Sequence, residues 1–292
     1  MIIDAHNHAD WLGYNFDDCI ADMDKRSIGK TWLLSWETPA DEYNPESNFN
    51  MPVSLPGKGP VPFAAGLDYK RRAPERFILG YAPDPREPDA VDKLKNAVIT
   101  YGVQVCGEVK LRMMYDNPDA VRLFRWCGEA GLPVTLHFDY DTATETGKNY
   151  PRPNWWYGGG IDCFERLLKL CPETNFLGHA PGFWCHISND NLGLHASYPK
   201  GPVIPGGRIE ELLDKYPNLY CDCSAGSCRN ALTRNLEYTK NFVLRFQDRL
   251  LYARDCFDNT HQELFDSLGL PENVLEKIYH LNAEKLAGPE KI

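Results

Sequence analysis

Eight short apolar runs alternate with stretches of helical character along the chain, and that alternation leaves few folds open. The strand candidates are residues 2–6, 31–36, 77–81, 105–111, 134–138, 175–179, 219–223 and 250–254. The clearest helical patterns between and after them are 90–101, 119–130, 161–170, 208–216, a long one over 230–246, and a final one over 272–286. Asn117 or Asp119 with Pro118 opens one helix, and Gly102, Gly131 and Gly269 stand where C-terminal stops belong. Spread over 292 residues, eight units average about 36 residues each, which fits a βα repeat. The expected fold is therefore a (β/α)8 TIM barrel forming a single domain over residues 1–292, with a doubly wound open sheet as the competitor. Three connections are unusually long: 37–62, 139–160 and 181–207. Each follows a strand, so a barrel would set all three around its C-terminal face, where active sites are built.

Composition narrows the function. Hydrophobic residues at 43% and charged residues at 25% describe a folded globular chain. A formal net charge of −10 repels polyphosphate and anionic lipid, so neither nucleic acid nor membrane is expected as a partner. A small molecule is the expected partner, and a homo-oligomer is compatible with the sequence. No apolar run reaches membrane-spanning length, and Asp4, His6, His8 and Asp10 interrupt the start of the chain where a signal peptide needs an apolar core, so the expected compartment is the cytoplasm. The ten cysteines are too dilute for a disulfide scaffold and are expected as buried small hydrophobes. Cys221 and Cys223 share a strand face, with Cys228 close by, and could alternatively bind a soft metal.

Chemistry gathers at the strand ends. His6 and His8 are two apart on the first strand and can project from one face. His137 ends the fifth strand, His179 ends the sixth, and Asp255 follows the eighth. A lone histidine of this kind more often bonds a backbone carbonyl than a metal; the common placement of all five residues at one barrel mouth reverses that expectation. Imidazole and carboxylate suit zinc, whose bound water has a pKa near 7, and manganese or iron(II) also fit nitrogen and oxygen ligands.

The ordered pieces Ile3-Asp4-Ala5-His6-Asn7-His8, Leu136-His137-Phe138, Leu177-Gly178-His179-Ala180, Leu250-Leu251-Tyr252-Ala253-Arg254-Asp255 and Lys277-Ile278-Tyr279-His280-Leu281-Asn282-Ala283-Glu284-Lys285-Leu286 together resemble the amidohydrolase superfamily. The closest branch is amidohydrolase-2, which holds hydrolases, decarboxylases and hydratases related to aminocarboxymuconate semialdehyde decarboxylase. The resemblance covers essentially the whole chain. It implies that His6, His8, His137 and Asp255 bind a divalent metal, and that His179 is a catalytic histidine, a support for the ligands, or a ligand to a second ion. Gly107-Glu108 on the fourth strand is similar to the glutamate that bridges two metals in deoxyribonuclease-type relatives; a carboxylated Lys110 is the alternative bridge, and an internal ion pair or a grip on a substrate carboxylate is the third reading. One or two ions are therefore expected, zinc first.

With such a centre, Asp255 can take a proton from activated water and His179 can orient the substrate. Arg112 can grip a substrate carboxylate, whereas Arg254 lies opposite Asp255 in strand alternation and fits an ion pair outside the barrel. Trp155, heading the Trp155-Trp156-Tyr157 run, could stack on a planar ligand. His186 and His195 are expected as exposed loop residues, and His261 and His280 in helix packing or on the surface. Asp222 and Ser224 can support a ligand imidazole if they, rather than Cys221 and Cys223, face inward. The expected activity is metal-dependent hydrolysis of an amide, lactone or ester bond in a small carboxylated or cyclic substrate, with nonoxidative decarboxylation or hydration as the rival. A noncatalytic metal-binding barrel is disfavoured, because buried polar side chains without a metal would carry unmet hydrogen-bonding costs.

Overall fold

The computed structural model describes residues 1–39, 42, 61–139 and 156–287. Eight parallel strands run in sequential order, β1 Ile2–Asn7, β2 Ile28–Leu33, β3 Phe77–Gly80, β4 Val103–Val109, β5 Val134–His137, β6 Phe176–His179, β7 Leu219–Cys223 and β8 Leu250–Tyr252. An open doubly wound sheet would reverse direction at a switch point; here every strand pairs with its sequence neighbour. The β1–β8 seam nearly closes the barrel. There Asp255 N donates to His6 O at 2.8 Å, and Arg254 N donates to the Asp4 carboxylate at 2.9 Å.

Alternation separates two cores. Ile3, Trp32, Ile78, Val105, Leu177, Tyr220 and Leu251 fill the barrel interior, and the C-terminal residues Ala283, Leu286 and Ala287 pack onto them. Cys106, Val134, Leu136, Phe176, Cys221 and Cys223 face outward into the layer between strands and helices. Cys221, Cys223 and Cys228 are thus packing residues, and burial pushes the Cys221 and Cys228 thiols up, away from the thiolate a metal needs.

The helices include α1 Phe16–Lys25, α2 Phe63–Arg72, α3 Ala90–Tyr101, α4 Pro118–Glu129, α5 Gly160–Leu170, a short α6 Pro181–Trp184 and α7 Arg208–Lys215. Asn117, not Asp119, caps α4, accepting from Asp119 N at 2.9 Å with Pro118 in the first turn. The long helix expected over 230–246 is two helices, α8 Ala225–Thr233 and α9 Leu236–Phe246. Asn235 interrupts it: its backbone is extended, and its side chain accepts from Tyr238 N at 3.1 Å, starting α9 afresh. After α10 Thr260–Ser267, the final stretch is α11 Glu272–Glu276, a wider π turn over Lys277–Leu281, and α12 Asn282–Leu286.

The first part of the connection after β6, residues 182–188, is packed against the scaffold. Trp184 is buried and donates Nε1–H to Asp222 O at 3.0 Å, tying this connection beneath the end of β7. His186 in the same connection is buried, contrary to the exposed position expected for it: the neighbouring turn folds onto the scaffold, and burial, with Arg208 nearby, lowers its pKa to about 4. His195 is exposed and His261 is buried in α10, both as expected.

Candidate metal centre

Two strand irregularities aim the key side chains. Asp4 pairs with Thr31 and Asn7 with Leu33, so a step of three residues on β1 matches a step of two on β2. Such a bulge reverses facing direction partway along a strand. Ile3 and Ala5 therefore point into the barrel below it, and His6 and His8 point in above it, while Asn7 turns out and donates to Asp4 Oδ2 at 3.1 Å. Cys106 pairs with Val134 and Val109 with Leu136, the same three-against-two step, and it brings Glu108 to the interior. A Cβ on Gly107 would lie 3.0 Å from Thr135 Cβ, so glycine lets β4 approach β5 closely just before the glutamate.

Four histidines and three carboxylates converge above these bulges. His6 Nε2 lies 3.2 Å from His8 Nε2 and 3.8 Å from Glu108 Oε2, and His8 Nε2 lies 3.3 Å from Asp255 Oδ1. His179 Nε2 is 3.6 Å from Glu108 Oε1 and 3.9 Å from Asp255 Oδ2. Three overlapping groups could hold an ion: His6, His8 and Glu108; Glu108, His137 and His179; and His6, His179 and Asp222, with the ligand atoms of each group within 4.8 Å of one another. All of these side chains are buried.

Hydrogen bonds set the imidazole orientations. His8 Nδ1 lies 2.9 Å from the Leu34 carbonyl, which only accepts, so Nδ1 carries the proton and Nε2 faces the cluster with its lone pair when the ring is neutral. His6 Nδ1 is 2.5 Å from Asp222 Oδ2, the carboxylate-behind-imidazole arrangement that sharpens a metal-binding histidine. His179 Nδ1 contacts Ser224 Oγ at 2.9 Å. Asp222 and Ser224 thus face inward, the condition under which they support the imidazoles. His137 Nδ1 contacts Glu108 Oε1 at 2.7 Å, leaving its Nε2 buried with no hydrogen-bond partner among the described residues, as is Asp255 Oδ1. Orphaned buried acceptors of this kind are costly unless something else binds them, and the nitrogen and oxygen donors suit a divalent cation.

Charge is concentrated here. Burial alone would keep His6 neutral, yet Asp222, Asp255 and Glu108 outweigh it and raise its pKa to about 10. Burial opposes ionisation of Glu108, but His137, His6 and Lys110 hold it well below the usual carboxylate range. Partial burial likewise opposes ionisation of Asp255, but His8, His6 and His179 bring it down to about 2. His179 is lowered to about 4, chiefly by burial, and is neutral at pH 7. The pocket therefore has ionised carboxylates and a proton on His6 where a cation would be equally at home.

The backbone is unusual at the same place. Ala180, Ala225 and Asp255 have φ of 76°, 59° and 54°, a region that residues with side chains enter rarely. Ala180 directly follows His179 and Ala225 directly follows Ser224.

Other sequence expectations divide. Arg254 forms the outward ion pair, its Nε 2.8 Å from Asp4 Oδ2 and its Nη1 2.6 Å from Asp22 Oδ2. Arg112 lies beside Glu42, whose carboxylate accepts from its backbone N at 3.3 Å and lies 3.8 Å from its Nε. Trp155 lies outside the described residues; Tyr157 from the same run is buried, with its ring 5.5 Å from that of His137. The sequence reasoning did not single out Asp139, whose Oδ2 is 4.0 Å from His137 Nε2, or Trp11 and Trp36, whose rings lie 4.8 and 5.4 Å from that of His8. Asp139 stands two residues past His137, so strand alternation was the signal that could have found it.

No family model matches the chain, and no curated protein matches it in sequence. Solved structures do match along almost its whole length. An uncharacterised TIM-barrel protein from Bordetella bronchiseptica superposes with a TM-score of 0.62 at 15% identity, covering 98% of this chain and 97% of that one. A dihydroxybenzoic acid decarboxylase from Polaromonas sp. JS666, with manganese and the inhibitor 2-nitroresorcinol bound, gives 0.60 at 16% identity over 98% and 96%. A probable 2-pyrone-4,6-dicarboxylic acid hydrolase from Acinetobacter baumannii, with citric acid bound, gives 0.58 at 12% identity over 98% and 99%. The structural neighbours include members of the amidohydrolase-2 group that the sequence resembles, and they comprise both decarboxylases and a hydrolase. At these identities the likeness establishes a shared barrel fold.

Proposed function

We propose that this chain is a metal-dependent enzyme of the amidohydrolase type that hydrolyses an amide, lactone or ester bond in a small carboxylated or cyclic substrate. The observation that carries the reading is the convergence of four imidazoles with Glu108, Asp222 and Asp255 at the C-terminal ends of the strands, with buried acceptors of His137 and Asp255 left unmet. His6, His8, His137, Asp255 and Glu108 would hold the metal, as one ion or as two. Zinc and manganese both fit this donor set, and manganese is present in the Polaromonas decarboxylase. A divalent ion there supplies a Lewis acid and lowers the pKa of water.

The protein's own groups do the rest. Asp255, ionised at neutral pH, accepts the proton from the attacking water and returns it to the leaving group. His179, neutral and fixed by Ser224, orients the substrate carbonyl. Asp222 holds His6 in register. Arg112 would meet the distal part of the substrate. All ten cysteines are free thiols, which fits a reducing cytoplasm, and no helix among the described residues is long and apolar enough to cross a membrane.

Nonoxidative decarboxylation is the second reading, favoured by decarboxylases among the neighbours. Incubation of manganese- or zinc-loaded protein with carboxylated lactones and aromatic acids separates the two. Proton release with a new carboxylate is the result expected for hydrolysis, carbon dioxide release assigns decarboxylation, and inertness of metal-loaded protein towards both sets contradicts both.

A further inference from the structure

The turn that follows β8 is held from the side of β1. Four successive carbonyls in it each accept from a side-chain donor: Asp255 O from Trp11 Nε1 at 3.0 Å, Cys256 O from Asn7 Nδ2 at 2.8 Å, Phe257 O from Arg26 Nη2 at 3.1 Å and Asp258 O from Arg254 Nη1 at 3.4 Å. Asn7, Trp11 and Arg26 all lie in or beside β1 and α1. Asp255 needs such holding, because its φ of 54° is a conformation that a residue with a side chain keeps only where its surroundings impose it. His6 O fixes one flanking peptide, accepting from Asp255 N at 2.8 Å, and the Trp11 indole fixes the other. Trp11 also meets His8, with the two rings edge to face and 4.8 Å apart, and His8 Nε2 is in turn 3.3 Å from Asp255 Oδ1. One indole thus touches both residues of that contact across the barrel seam. The indole is itself anchored: Asp10 and Leu12 on either side of it have φ of 53° and 52°, Asp10 Oδ1 accepts from the Tyr69 hydroxyl at 2.9 Å, and Tyr14 N donates to Trp11 O at 3.0 Å.

From this arrangement we infer that Trp11 is a positioning residue for the metal centre, its N–H setting the backbone of Asp255 and with it the aim of the Asp255 carboxylate beside His8. The inference rests on the reading of His8 and Asp255 as metal ligands, and it names what holds them in register. An aspartate side chain is short, so its carboxylate follows any movement of its own main chain. A ligand of this kind is only as well aimed as the groups behind it. Trp11 does not bind the ion itself, because the indole N–H is a donor without a lone pair to offer. Phenylalanine at this position keeps a ring against His8 and loses the N–H, which isolates the bond to Asp255.

The test compares the wild type with Trp11→Phe and with Tyr14→Leu. Tyr14 stacks on Phe257 with ring centres 4.0 Å apart, so its loss loosens the same two connections without removing a bond to Asp255. Zinc(II) affinity is measured by competition with a chromophoric chelator, and cobalt(II), a coloured stand-in for zinc, reports the coordination geometry through its visible spectrum. Trp11→Phe should weaken zinc binding about tenfold and change the cobalt bands, with the circular dichroism of the wild type retained. Tyr14→Leu should keep the wild-type affinity and bands, whatever it costs in unfolding midpoint. Wild-type affinity or wild-type cobalt bands in Trp11→Phe would overturn the assignment while leaving the metal centre standing. An equal loss of affinity in Tyr14→Leu would also overturn it, since loosening of the two connections would then suffice. A wild type that takes up neither zinc nor cobalt would bring down the metal-centre reading itself, and this inference with it.

Discussion

Replacing Arg254 by Met should destabilise the barrel more than any other single change at its seam. The guanidinium is 1% exposed and bridges β8 to Asp4 on β1 and to Asp22 on α1, through contacts of 2.8 and 2.6 Å. Methionine keeps much of the stem volume, so the loss is electrostatic. Two charge-assisted hydrogen bonds at about 1.5–3 kcal/mol each give about 3–6 kcal/mol, consistent with the roughly 3–5 kcal/mol for removing one partner of a buried ion pair. Asp4 adds to the cost, because burial already pushes its carboxyl above the ordinary range even with Arg254 opposing the shift. Asp22 suffers less, since Arg26 Nε also donates to it at 2.7 Å. The assay is urea unfolding followed by tryptophan fluorescence and circular dichroism together. A drop of several kcal/mol is expected for Arg254→Met, and Asp4→Asn combined with it should cost less than the sum of the two single changes. A loss below about 1 kcal/mol, the scale of an exposed pair, would refute the claim that this network closes the seam.

Two further outcomes follow from the same geometry. Asp222→Asn removes the carboxylate behind His6 and should weaken metal affinity about tenfold to a hundredfold with little change in unfolding midpoint, measured by competition with a chromophoric chelator; unchanged affinity would mean that the 2.5 Å contact does not tune the ligand. Glu165 is held below its ordinary value of 4.5 by Lys215, Arg208 and Tyr216. A depressed carboxylate stabilises the fold above its unfolded pKa, and that contribution is lost as pH falls through the folded one. Glu165→Gln should therefore cost about 1–2 kcal/mol at pH 7 and progressively less below pH 4.5, a difference that parallel unfolding curves at the two pH values would reveal or deny.

The fold was legible because strand and helix periods differ: runs such as 134–138 and 219–223 predict β5 and β7 within a residue. The helix break at Asn235 was not, since the apolar spacing of α8 continues smoothly into α9 and only a capping side chain marks the boundary. Of the site, His6, His8, His137, His179 and Asp255 could be placed by strand ends. The inward turn of Glu108 could not, because it depends on the extra residue in β4 that strict alternation does not reveal. The seam was half legible: alternation set Arg254 outward, but its partners Asp4 and Asp22 lie some 250 and 232 residues away in sequence, where no local pattern reaches. His186 was misplaced for a related reason, since length alone does not tell a packed connection from an exposed one.

The central claim is that the histidine–carboxylate cluster holds a divalent metal, and metal stoichiometry tests it most directly. Elemental mass spectrometry on protein purified without added metal or chelator, and again after reconstitution with zinc and with manganese, should find one or two ions per chain in the wild type. His6→Ala should lower that content with the barrel still folded, and Glu108→Ala separates a single ion, retained, from a pair, reduced to one. A wild-type protein that binds neither zinc nor manganese would contradict the account, and the buried acceptors of His137 and Asp255 would then require another partner.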